Sequence, residues 1–361
     1  MKKFNSITSI FFIVWSLLIV VALITTLTTY KTTEHRYYSE QIQAAKLSKK
    51  AMEEVRNYRS SLGLKFADHD INDTGLIGPS YTTITTTTGV LNAKLTSTNP
   101  DFAAVFIDMF IDAGIKKNDE IGIVMSGSFP GLNISLMAAI EIFELNPCIM
   151  VMLDSSSYGA NERNFTYFQI AEHLYESGIF SNKIDYVSFG GSEDTGNEFT
   201  SEDKLYFLNL IERSGINFIN KPVFEENIEY RTECILEKCP KIKLLVNIGS
   251  NVVSLGKDDT TYINQNGLVN KVIKQSVIPA NRGLIETFLN KDVSVIQMLN
   301  IKGIALDYGI PYAPSTMPKI GSSSAYFDEE YSITIPIITL FLSIGSLVFY
   351  YVYLHNRKEV N

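Results

Sequence analysis

Ile121-Gly-Ile-Val-Met125 runs directly into Ser126-Gly-Ser-Phe-Pro-Gly-Leu-Asn133, and an apolar segment from Ile134 to Leu145 follows. A short apolar run, a small polar turn and a segment of helical character read as strand, tight turn and helix. Gly127 is expected to let the backbone go where a side chain could not follow. Ser126 or Ser128 is placed to cap the helix, and Pro130 suits its first turn. The amides at such a helix start have no partner within the helix and suit a carboxylate or a phosphate.

Outward from this stretch the pattern repeats. Strands are expected near 121–125, 147–153, 184–189, 243–248 and 293–299, and helices near 131–145, 165–177, 201–213, 222–238 and 280–290. A helix is also expected from the Thr98-Asn99-Pro100 start to Ala113, and a short one within 300–314. Three further turns echo the first: Leu153-Asp154-Ser155-Ser156-Ser157-Tyr158-Gly159-Ala160-Asn161, Ser188-Phe189-Gly190-Gly191-Ser192 and Val246-Asn247-Ile248-Gly249-Ser250-Asn251. Strands alternating with helices predict an α/β domain, doubly wound, with a mostly parallel sheet and helices on both faces. In such a sheet ligands bind outside the carboxyl ends of the strands, where these turns fall. No G-x-G-x-x-G follows a strand and no phosphate-loop motif occurs, so no cofactor is expected.

Two segments do not belong to this domain. Ile7 to Leu27 carries no charge and is long enough to cross a bilayer, as is Ile333 to Leu354, with Tyr350, Tyr351 and Tyr353 near its end. The first lacks a small-x-small cleavage site behind it, so an uncleaved anchor is expected. The chain divides into an anchor over 1–30, a juxtamembrane helix over 31–64, the α/β domain over 65–313, a linker over 314–331, a second span over 332–354 and a short basic tail over 355–361. Lys2 and Lys3 before the first span, with Arg357 and Lys358 after the second, place both termini in the cytoplasm and the central domain outside. Lys31, Arg36, Lys46, Lys49 and Lys50 pull the other way.

The net charge is −8, and the stretch between the anchors carries −11. That balance argues against a nucleic-acid partner. Cys148, Cys234 and Cys239 form no disulfide framework and read as buried thiols. The polar stretch 66–100 is expected to be irregular or short-stranded. Its Asp68, His69, Asp70 and Asp73 hint at a metal, but one histidine among close carboxylates fits turn chemistry better, and no metal is expected.

The blocks NDTGLIGPSYTTITTTTG, LTSTNPDFAA, MSGSFPGLN, SSSYGAN, SFGG and LNIKGIALDYGIPYAP, taken together, resemble the poly-gamma-glutamate system protein family, across essentially the whole region between the spans. The resemblance implies a membrane-associated accessory role in making, exporting or modifying poly-γ-glutamate, a capsular or secreted polyanion. It also implies γ-glutamyl chains and other membrane subunits of that system as partners. It supplies no catalytic residue set.

The residues leave two chemistries open. Ser128 sits where a hydrolase nucleophile would, with Asp154 at the end of the next strand and His69 as the one histidine placed to serve both. The binding reading uses neutral donors and helix starts to hold carboxylates: Ser126, Gly127, Ser128, Asn133, Ser155, Ser156, Asn161, Gly190 and Gly191, with Arg282 as a carboxylate partner. Lys94 and Arg282 are the basic residues nearest such turns, while Ser201 to Lys204 reads as a helix cap followed by surface charge.

Overall fold

The structure is a computed structural model that describes residues 2–28, 30–257, 262, 264–273, 275–276, 278–331 and 333–359. In chain order its elements are α1 (Lys2–Thr28), β1 (Tyr30–Glu34), α2 (Tyr38–Ser61), β2 (Thr85–Thr87), α3 (Leu91–Ser97), α4 (Phe102–Asp112), β3 (Glu120–Ser126), α5 (Pro130–Phe143), β4 (Asn146–Met152), β5 (Ser155–Ser156), β6 (Asn161–Glu162), β7 (Phe165–Thr166) and α6 (Tyr167–Glu176). They continue with β8 (Tyr186–Ser188), α7 (Ser201–Ser214), β9 (Asn217–Phe218), α8 (Phe224–Lys238), β10 (Leu244–Ile248), α9 (Val252–Leu255), β11 (Asn266–Val269), α10 (Leu284–Leu289), β12 (Ser294–Met298), α11 (Ile301–Asp307), β13 (Phe327–Tyr331) and α12 (Thr334–Glu359).

The chain separates into two compact units, one made of residues 1–36 with 327–361, the other of Tyr37–Tyr326. The larger unit is α/β. Its seven-stranded sheet has the order β11-β12-β10-β3-β4-β8-β9. All neighbouring pairs run parallel except β11 with β12 at one edge, so the sheet is mixed. The parallel strands are mostly apolar because both faces are covered, with Asn247 and Gln297 as buried polar exceptions. Ile121, Ile123 and Met125 of β3 join one core with α2, α4, α5 and α6. Val124 of the same strand, with Met150 and Leu245, joins a second core with α8 and α10.

Helix α2 falls where the sequence suggests a juxtamembrane segment. It buries Ala44, Ala45, Ala51, Met52 and Val55 in the first of these cores. Further along the chain, Asp101 accepts hydrogen bonds from Gly321 N–H (3.1 Å), Ser323 N–H (3.2 Å) and Tyr326 Oη (2.7 Å). That ties 321–326, expected as linker, into the larger unit. Most expected strands and helices lie within a few residues of the observed ones. Helix α3 and strands β9 and β11 have no counterpart in the sequence pattern, because short elements with mixed polarity give no clear period.

In the smaller unit, β1 and β13 pair antiparallel, Tyr30 opposite Tyr331 and Glu34 opposite Phe327. Thr8–Thr28 and Thr334–Asn356, with mean hydropathies of 2.8 and 2.0, are long and apolar enough to cross a membrane. The two helices touch through a stacked Phe11–Tyr350 pair (ring centroids 4.2 Å) and a Tyr350 Oη–Thr8 hydrogen bond (2.7 Å).

Candidate functional site

Strands β3, β4 and β8 end side by side, and the loops that leave them cross one another. Gly127 N–H donates to the Asp154 carbonyl (2.9 Å), and Ala160 N–H donates to the Gly127 carbonyl (2.8 Å). Asp154 N–H in turn donates to the Phe189 carbonyl (3.0 Å). Gly127 is favoured here by close approach rather than by backbone angle: a Cβ would meet the Asp154 and Ala160 carbonyls tightly, at 3.0 and 3.1 Å. The helix cap differs from expectation. Phe129 occupies the cap position without a side-chain bond, Pro130 opens the helix, and Asn133 Nδ2 reaches back to the Ser126 carbonyl (2.7 Å).

Over these strand ends lies a cavity of about 310 Å³ lined by Thr86, Thr87, Ser126, Ser128, Asp154, Gly191, Ser192, Glu193, Ser250, Asn251, Val252 and Lys257. Half of the lining residues carry a hydroxyl. Ser126 Oγ donates to Ser128 Oγ (3.0 Å), which also accepts from the Ser156 N–H (3.1 Å). At the rim Lys257 Nζ donates to Glu193 Oε1 (2.7 Å).

Asp154 is the titratable group deepest in this wall, 8% exposed. Thr86 Oγ1 donates to its Oδ2 (2.8 Å), while Oδ1 makes no hydrogen bond of good geometry among the described residues. Burial pushes the carboxyl up to about 6; Asp194 and Glu198 add to that, and the Thr86 hydroxyl and Gly191 amide pull the other way. Gly190, at φ +78°, makes the room: any Cβ there would fall into the Asp154 carboxyl.

Beneath the cavity Lys94 is fully buried. Its Nζ donates to the Ser128 carbonyl and to Ser156 Oγ (2.6 Å), and lies 3.6 Å from the centre of the Phe129 ring. Loss of water around it drives its pKa well below the usual lysine range. Lys94 therefore clamps the turn after β3 to the turn after β4 from below.

The structure thus brings Ser126, Ser128, Asp154 and Gly191 to one cavity. Gly127, Asn133, Ser155, Ser156 and Asn161 lie behind its wall. Asn161 Nδ2, for example, is spent on the Pro79 carbonyl and Thr85 Oγ1 (both 2.9 Å). His69 does not line the cavity; its Nε2 lies 2.9 Å from the Gly78 carbonyl and its ring stands edge-on to Tyr158. The Ser128–His69–Asp154 arrangement is therefore not assembled. Arg282 donates through Nε to Glu286 Oε1 (2.8 Å), one turn on, and lines a different cavity. Asp70, from the hinted metal cluster, is occupied by Thr74 Oγ1 and Gly75 N–H.

Sequence reasoning missed Thr86, Thr87, Glu193 and Lys257 as cavity residues and Lys94 as the clamp. The threonines sit in a repetitive tract that singles out no member. The three cysteines are buried with free thiols. No family model, curated protein or solved structure matches the chain.

Proposed function

We propose that this chain is a membrane-anchored accessory component of poly-γ-glutamate biosynthesis or export, whose cavity takes γ-glutamyl chains. The observation that carries the reading is the cavity itself: hydroxyl and amide groups from four turns converge at the carboxyl ends of the central strands. Neutral donors hold carboxylates without a strong positive field. The acidic balance of the domain then favours release of a polyanion over tight retention. The same reading takes the sheet as doubly wound, since the strand order turns back between β3 and β10. It takes both apolar helices as anchors, with the termini in the cytoplasm and the domain outside, beside other membrane subunits of the system.

The test is calorimetric titration of the full-length chain in detergent with oligo-γ-glutamate. Saturable binding, weakened by Ser128→Ala, is expected; no heat at millimolar ligand sinks the reading. Thiol-label access in intact cells tests the topology, and a domain labelled only after lysis overturns it.

A second reading, a γ-glutamyl hydrolase or transferase through Ser128, draws on Ser128 and Asp154 lining one cavity. It predicts turnover of oligo-γ-glutamate that Ser128→Ala abolishes while folding is kept.

A further inference from the structure

The cavity wall offers many donors and two carboxyls: Glu193, which pairs with Lys257, and Asp154, which has no ion pair among the described residues. A buried carboxyl without a cation is costly, so a group held against Asp154 in the cavity should be a donor. A hard metal ion is a poor candidate. It wants six or more oxygen ligands, and among the described residues no three His, Cys, Asp or Glu side chains converge. A cationic N–H donor fits better, because a charge-assisted hydrogen bond is about twice as strong as a neutral one.

A γ-linked glutamyl chain carries such a donor in one place. Every residue has an α-carboxylate, but only the first has a free α-ammonium, and it sits on the same carbon as that residue's carboxylate. The wall matches this pair: Asp154 for the ammonium, and the Ser128 hydroxyl, which accepts from Ser126 and Ser156 and keeps its own proton to donate, for the carboxylate. The size agrees. At about 310 Å³ the cavity lies at the low end of ligand pockets, which run from about 300 to 1,000 Å³, enough for the end of a chain rather than a threaded polymer. Lys257 and Glu193, part-exposed at the rim, mark a way out for the following residues.

We propose that the cavity recognises the free amino end of a γ-glutamyl chain, with Asp154 holding the terminal ammonium. This rests on the γ-glutamyl reading above. The groups that act on Asp154 are Thr86 from β2 and, from the segment after β8, the Gly191 amide, Asp194 and Glu198; the Glu193–Lys257 pair lines the same cavity. Asp194 is itself held by Arg231 of α8, and Glu198, which like Asp154 has no ion pair among the described residues, accepts from the Ser192 N–H (2.9 Å) and hydroxyl.

The experiment uses the full-length chain in detergent and two synthetic γ-glutamyl trimers, one with a free amino end and one N-acetylated. At pH 7 the free trimer should bind at least about tenfold tighter, which is about 1.4 kcal/mol. The preference should shrink as pH falls through about 6, where Asp154 protonates. Asp154→Asn should abolish the preference while leaving the acetylated trimer's affinity in place. If that variant does not fold, the pH series on the unaltered chain decides. Equal affinity for both trimers overturns amino-end recognition and leaves polymer binding standing. Binding of neither trimer removes the γ-glutamyl reading itself.

Discussion

Two buried ionisable centres lie near the carboxyl ends of the strands, and they are built in opposite ways. In the first, Arg231 and Asp194 are each 1% exposed and form an ion pair. Arg231 also donates to Ser188 Oγ (2.7 Å) and Asn227 Oδ1 (2.8 Å), while Asp194 accepts from Ser188 Oγ (2.6 Å) and Asn227 Nδ2 (3.0 Å). In the second, Asp154 has one good partner, and Lys94 touches a carbonyl, a hydroxyl and a ring but no carboxylate. A saturated network fixes structure. An unsaturated one keeps bonding capacity in reserve, and in a cleft that capacity marks a site.

The comparison breaks most visibly at the saturated centre. Arg231→Met leaves Asp194 buried without its cation and should cost about 3–5 kcal/mol in denaturant unfolding. Adding Asp194→Leu should recover part of that loss. A single variant with unchanged stability would show that the network holds nothing together.

At the cavity the largest effect should come from pH. Asp154 holds its proton more tightly folded, near 6, than unfolded, near 3.9. The folded state therefore binds more protons between those values. The contribution is full below about 4 and is lost as pH rises through about 6, an effect of about 3 kcal/mol. Asp154→Asn should flatten stability across that window, and an unchanged slope would place the titration elsewhere. Gly190→Ala follows. A left-handed backbone costs a side chain about 1–2 kcal/mol, and the new methyl displaces the carboxyl. Thermal unfolding should fall while Gly215→Ala, a helix-end glycine with open space around it, loses only the backbone part.

Lys94 gives the smallest change at neutral pH and the most telling sign. Lys94→Met trades two hydrogen bonds for relief of a desolvated amine, a net change within about 1 kcal/mol. Because the folded amine binds its proton less tightly than the unfolded one, the parent chain should gain on the variant as pH rises toward about 10.4. A constant difference between pH 7 and 10 would mean that Lys94 stays charged.

The alternation of apolar runs and small polar turns made the sheet and most helices legible, because a buried parallel strand cannot hide its composition. The Ser126–Ser128 turn, Asp154 and Gly191 were legible as a site for the same reason: they end strands. Lys94 was noticed only as a charge near a turn, since nothing in LNAKLTS says that the amine is buried. His69 and Arg282 misled because residue type was read without partners, and both are satisfied by close neighbours, Gly78 and Glu286. Glu193 and Lys257 meet across a long sequence separation, which no local pattern encodes.

The antiparallel ribbon of β1 and β13 has a mechanical meaning. It joins the chain just before the larger unit in sequence to the chain just after it, in register over five residue pairs. While it holds, the intervening polypeptide is a closed loop even when unfolded, stapled without sulfur. A closed loop has fewer random arrangements to escape into, and the entropy saved grows with the logarithm of its length. Severing the ribbon should therefore weaken a domain whose own contacts are untouched.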